Sequence, residues 1–311
     1  MQRPTKAAYL HHHLATQVHI RSVHCTDNAD KKPHTTASQS HISPSSPCHS
    51  DTLSSVQAHQ LSSPLHRPNT QPLFSVYTPL PPQERPASTL LPHRWAELLS
   101  AYPDPAFIQN IIGIATHGAR IGYEGTPLRI MSDNHSTVLQ ISDELSQNIS
   151  DDIRLGRICL IDSLPTQYAC SPLGAVPKKH NGEFTGWHRI HDLSFPRGSS
   201  VNNGIPEQYR TLSYQTLDDA IKIIEHLGRH TTLHKRDLKD AFCKIPVSPL
   251  DTHLLLFKWK GQIYSELFLP FGLATAPLLF NLFAEALHWI LNHVYNQPLL
   301  HYLDDFLLFN C

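Results

Sequence analysis

Leu299-Leu300-His301-Tyr302-Leu303-Asp304-Asp305-Phe306-Leu307-Leu308-Phe309 sets two apolar arms around a pair of aspartates. Short apolar runs on either side of a polar centre read as a β-hairpin. Adjacent carboxylates at its tip repel each other and suit a turn between buried strands poorly unless something neutralises them. Divalent cations do this, because Mg²⁺ takes a few carboxylate oxygens and leaves room for substrate phosphate. The alternative is an ordinary polar turn, in which aspartate is common.

Upstream, Leu233-His234-Lys235-Arg236-Asp237-Leu238-Lys239-Asp240-Ala241-Phe242 puts one carboxylate at the end of a short strand and another three residues later. If that strand lies beside the hairpin, Asp237 and Asp304 can bracket two metal ions, the arrangement that serves an in-line displacement at phosphorus. Asp240 has an equally good alternative as a charge at a helix N-terminus.

The remaining pattern builds the frame. Thr216 and Asp219 form a capping box for a helix with apolar positions Leu217, Ile221, Ile224 and Leu227, and Gly228 ends it. HLLLFKWKGQIYSELFL (253–269) reads as a hairpin turning at Lys260-Gly261. A long helix follows Pro277 with Leu279, Phe283, Leu287, Ile290 and Val294 on its apolar side. The order implies an α+β fold with helices on one face of an antiparallel sheet.

Earlier, Trp95, Leu98 and Leu99, then Phe107, Ile111 and Ile112, fit two helices separated by Pro103 and Pro105. Residues 138–158 fit a third, with Leu139, Ile141, Leu145, Ile149 and Ile153 on one face. Residues 1–84 are rich in Ser, Thr, Pro, His and Gln, without period, and predict a disordered tail. The expected division is therefore a tail over 1–84, a helical extension over 85–170 and a catalytic region over 171–311.

Taken together these motifs resemble, in content and order, the reverse transcriptases of retroelements, of the gypsy and DIRS-like kinds. SPLGAVPKK (171–179) and WHRIHDLSFPRGSSVN (187–202) resemble the two fingers strands. KRDLKDAF (235–242) resembles the first catalytic motif, LPFGLATAPLLFNLF (269–283) the template–primer grip and YLDD (302–305) the second catalytic motif. The likeness covers roughly 171–309 and extends weakly back to about residue 92. It implies a right-hand polymerase fold with fingers and a partial palm. It implies an RNA-directed DNA polymerase using two Mg²⁺ ions, with Mn²⁺ as a substitute, a primed RNA or DNA template and deoxynucleoside triphosphates.

The same likeness assigns roles. Asp237, Asp304 and Asp305 stand where the family has its metal-binding catalytic carboxylates, Asp305 being the least critical. Lys178, Lys179 and Arg189 stand at or near triphosphate contacts, with Asp240 and Ala241 in the turn that receives the phosphates. Phe242 stands where an aromatic ring excludes the 2′-hydroxyl, although core packing is its bland alternative. Phe271 and Gly272 stand beside the incoming base, where glycine permits close backbone approach.

Three positions depart from the family pattern. His188 replaces the arginine that follows Trp187, Cys243 stands where a basic residue is frequent, and so does Ala274. Arg-to-His and Arg-to-Cys each need one base transition, which suggests a decaying element copy. The sequence also stops just after the hairpin, without residues for a thumb or RNase H domain. A catalytically inactive remnant or domesticated nucleic-acid-binding module is therefore the alternative reading. An RNA-directed RNA polymerase, whose palm also pairs aspartates, is disfavoured by Phe242 and the fingers motifs.

Composition bounds the rest. Net charge is −1 with histidine neutral, so no global basic field advertises nucleic acid, although basic residues outnumber acidic ones between Arg154 and Lys260. Six scattered cysteines without a CxxC pair indicate neither a disulfide framework nor a zinc module. No apolar run reaches membrane-spanning length and the N-terminus lacks a signal-peptide core, so an intracellular, cytoplasmic or nuclear protein is expected.

Overall fold

β-Branched and aromatic runs broken by glycine and proline give eleven short strands and five α-helices among the described residues. The computed structural model describes residues 20–23, 88–180 and 182–310. The expected tail over 1–84 lies outside them, except for strand β1 (Ile20–Val23).

The N-terminal helices are α1 (Pro92–Leu98) and α2 (Pro105–His117). Proline separates them as expected, but Pro105 opens α2, where its missing N–H is no loss, and the Asp104 carboxylate caps the N–H groups of Ala106 and Phe107. β2 (Arg129–Met131) follows. The helix expected over 138–158 divides into a 3₁₀ segment, Ser136–Ile141, and α3 (Ser142–Arg154). Val138, Ile141, Leu145 and Ile149 are buried, whereas Leu139 and Ile153 point to solvent. Gly156, at φ 66°, reverses the chain into β3 (Ile158–Leu160).

β4 (Tyr168–Cys170) leads to the long hairpin of β5 (Leu173–His180) and β6 (Glu183–His191). Next come α4 (Leu217–Leu227) and β7 (Thr232–Leu238). The pair β8 (Leu256–Trp259) and β9 (Gln262–Glu266) turns at Lys260-Gly261, both at positive φ, as a two-residue hairpin requires. α5 (Ala276–Trp289) passes into a π-turn over Ile290–Val294, then β10 (Leu299–Tyr302) and β11 (Asp305–Asn310) close the fold.

Three sheets result, ordered β1-β7-β11-β10, β2-β4-β8-β9-β3 and β5-β6. The class is α+β, as expected, but two expectations change. The region 85–170 is not only helical, because β2, β3 and β4 pair into the second sheet with β8 and β9. Its helices α1 and α2 also share one core with α5, where the Trp95 ring meets Phe283 edge-on at 5.3 Å.

Nor do helices cover only one face of the hairpin sheet. Leu299, Phe306 and Leu308 pack into the core that contains α5, while Leu300, Leu307 and Phe309 cluster with α4. Arms that are apolar at nearly every position, instead of alternating, need cover on both faces. The apolar stripe of α4 is accordingly Ala220, Ile223, Ile224 and Leu227. That stripe keeps the 3–4 spacing of an amphipathic helix, rotated from the expected one, so Leu217 and Ile221 are exposed.

Candidate active site

The hairpin sheet positions the three aspartates. β10 and β11 pair in tight register, with Tyr302 opposite Asp305, leaving Leu303 and Asp304 as the turn. β11 then pairs with β7 so that Asp305 lies opposite Asp237. The Leu238 N–H donates to the Asp304 carbonyl at 2.9 Å, tying the turn to the end of β7. Residues far apart in sequence, Asp237 on β7, Asp305 on β11 and Asp304 in the turn before it, therefore share one end of the sheet.

Their electrostatics follow from this crowding. Burial raises the Asp304 carboxyl above the ordinary range, and the charges of Asp237 and Asp305 push the same way against Lys235. The Lys235 ammonium lies 2.8 Å from Asp305 Oδ2, and that hydrogen bond raises the lysine pKa. Among the described residues no three His, Cys, Asp or Glu side chains close into a ready metal cage. Still, the donor set fits a hard divalent cation, with three half-buried carboxylates at one end of a sheet and a single lysine, paired with Asp305, beside them.

The expected nucleotide-side residues fall into two groups. Phe242 and Phe271 are brought together, ring centroids 5.1 Å apart, and Phe242 also meets Phe280 at 5.8 Å. Phe242 is half-buried against the main core and Phe271 is exposed. Ala241 is buried, and Asp240 takes the left-handed φ of 55° just beyond β7. Gly272, at φ 113°, is required by the fold itself, since a Cβ there would overlap the carbonyl oxygen of His191. Asn202 holds this loop, donating to the Gly272 carbonyl at 2.8 Å and accepting from the Ala274 N–H at 2.9 Å.

Lys178 and Lys179 sit on β5 in the separate hairpin, half-buried and exposed respectively. His188 is nearby and exposed, and burial and the Lys178 charge lower its pKa, so it is neutral at pH 7. Arg189 faces inward instead. Its Nη2 lies 3.0 Å from Asp152 Oδ2 and 3.6 Å from Glu266 Oε1. Burial pushes Glu266 up to about 7 and His191, 3.8 Å from it, down to about 3.

Sequence reasoning missed Asp152, Arg157, Glu266, Asn202 and Lys235. Lys235 had a signal, since it precedes Asp237 by two residues and a strand of period two puts both on one face. Asn202 closes a quoted motif. Nothing local marks Glu266, or the pairing of Asp152 with Arg189 and of Arg157 with Asp240, because those partners are distant in sequence.

Residues 190–311 match the family described as reverse transcriptase (RNA-dependent DNA polymerase). That stretch contains all three aspartates. Among solved structures, native prototype foamy virus protease–reverse transcriptase aligns at 23% identity and TM-score 0.45, over 61% of this chain and 22% of that one. Foamy viral protease–reverse transcriptase bound to double-stranded DNA aligns at 20% identity and TM-score 0.44, over 75% and 40%. The same enzyme with an RNA/DNA hybrid aligns at 20% and 0.44, over 74% and 30%. The chain thus spans between about a fifth and two fifths of the length of these proteins. No curated protein matches. Among the described residues no helix is long and apolar enough to cross a membrane.

Proposed function

We propose that the chain is an RNA-directed DNA polymerase module that joins deoxynucleoside triphosphates to a primer 3′-hydroxyl on an RNA or DNA template. The observation that carries this reading is the register setting Asp305 opposite Asp237, with Asp304 in the adjoining turn, inside the family-matched segment. Asp237 and Asp304 would hold two Mg²⁺ ions, or Mn²⁺ in their place, with Asp305 assisting while it is tied to Lys235. Bound there, the ions would lower the charge on the attacking and leaving oxygens. The half-buried site strengthens that electrostatic effect by limiting water around the carboxylates.

The protein groups do the rest. Phe242, braced by Phe271 and Phe280, would bar a 2′-hydroxyl, and Lys178 or Lys179 would meet the phosphates when the β5–β6 hairpin closes over the site. The intracellular location and the retroelement subtype belong to this same reading.

Primer extension on a primed RNA template with Mg²⁺ and deoxynucleotides tests it. The parent chain extends, and Asp304→Asn reduces extension by about a hundred- to a thousandfold, the scale expected when a group stabilising the transition state is lost. Equal activity in both proteins sinks the proposal. One observation favours the inactive alternative. His188 is neutral and Arg189 is engaged by Asp152 and Glu266, so the fingers strand offers the triphosphate less positive charge than the family pattern. Absence of extension by the parent would favour that reading.

A further inference from the structure

The turn after β7 holds Asp240 in a conformation that a non-glycine residue keeps only where its surroundings over-determine it. The Asp240 carboxylate is held by Arg157, whose Nη2 donates to Oδ2 at 2.9 Å. Arg157 is itself fixed at the backbone. Its N–H donates to the Asp152 carbonyl, and its own carbonyl accepts from the Leu267 N–H, both at 2.8 Å. Its guanidinium also lies 3.6 Å from the Asp152 carboxylate. Charges then alternate from the turn into the interior through Asp240, Arg157, Asp152, Arg189 and Glu266. Arg157 and Asp152 precede residue 190 and so lie outside the family-matched segment.

We infer that Arg157 is a positioning residue for the incoming deoxynucleoside triphosphate. It fixes the Lys239–Phe242 turn between the metal-side Asp237 and the ring of Phe242, without touching the substrate. This rests on the polymerase reading. The alternative is a brace that contributes only to global stability. Two features favour positioning over that alternative. The contacted residue is the strained one, and the arginine's own backbone is held independently of the turn it grips.

The test uses the full chain, with Arg157→Met, which keeps length and loses charge, and Arg157→Lys, which restores charge. Amide hydrogen exchange over residues 239–243 and the KM for deoxynucleotide in primer extension are read together. Arg157→Met should speed exchange in that turn about tenfold and raise KM about tenfold, with kcat changed less than about threefold, since tenfold is about 1.4 kcal/mol, the scale of one lost hydrogen bond to a charged group. Arg157→Lys should recover most of both.

Unchanged exchange in the turn overturns the inference. So does a loss of kcat that tracks a lower melting temperature, which is the signature of the purely structural role. If the parent extends no primer, the polymerase reading fails while the exchange arm still decides whether Arg157 holds the turn. If the parent extends and both readouts stay put, the inference fails alone.

Discussion

Two turns meet at the open end of the hairpin sheet, and each holds a residue other than glycine at positive φ, Leu303 at 52° and Asp240 at 55°. They are held in different ways. The Leu303 turn is clamped by strand register and by the bond from the Leu238 N–H to the Asp304 carbonyl. The Asp240 turn is gripped by a side chain 83 residues away in sequence, within a largely buried run of alternating charge. A polymerase site so built would owe its metal-side carboxylates to backbone pairing and its nucleotide-side turn to long-range ion pairs.

The largest effect should come from breaking the ionic side at its centre. Arg189 is 20% exposed, and its partners Asp152 and Glu266 are 15% and 6% exposed. Removing one member of such a group leaves buried charge uncompensated, which costs about 3 kcal/mol. Arg189→Met should therefore lower stability by about that amount at pH 8. Lys235→Met, removing a pair whose members are 54% and 41% exposed, should cost no more than about 1 kcal/mol. Chemical denaturation of both variants makes the comparison, and equal costs would mean that the two sides are not held differently.

pH sharpens the same contrast. Glu266 has a folded pKa of about 7 against an ordinary 4.5, because burial and Asp152 outweigh the Arg189 charge. The folded state therefore binds a proton that the unfolded state has released between those values, and stability falls as pH rises from about 4.5 to 7. His191 acts oppositely. Its folded pKa of about 3, below the ordinary 6.5, makes stability rise with pH between those values. The parent should consequently show a shallow profile in the overlap. Glu266→Gln removes the falling limb, so variant and parent should diverge by about 3 kcal/mol between pH 4.5 and 7, from the shift of about 2.5 units at 1.36 kcal/mol each. Denaturation midpoints at pH 5 and pH 8 measure it, and a constant difference would place the buried proton elsewhere.

Legibility in the sequence follows the same division. The hairpins, the capping box at Thr216, the ends of α4 and the three aspartates were readable because each is a local pattern of period, turn chemistry or adjacent charge. The faces were less so. Leu217 and Ile221 looked like core and are exposed, because which stripe of α4 is buried depends on the sheet face it meets. Arg189 looked like a phosphate contact because it lies one place beyond the position where the motif has its arginine, yet its side chain is paired with Asp152 and Glu266. The fit of Gly272 against His191 and the grip of Asn202 on the same loop are long-range facts that no local pattern encodes.

The smallest effect separates the two turns most directly. A left-handed residue other than glycine costs on the order of 1 kcal/mol, and glycine removes that strain while adding a similar entropy cost in the unfolded chain. Leu303→Gly keeps the backbone clamp on its turn but gives up a half-buried side chain packed against the main core, so it should cost about 1 kcal/mol. Asp240→Gly relieves the same strain but also deletes the partner of Arg157, a cation only 22% exposed. It should cost about 1–2 kcal/mol, as loss of a hydrogen bond to a charged group does. Thermal melts of the two variants decide the matter. A larger loss for Leu303→Gly than for Asp240→Gly would mean that side-chain packing, more than the backbone clamp, holds the Leu303 turn and that the ion pair contributes little to the other.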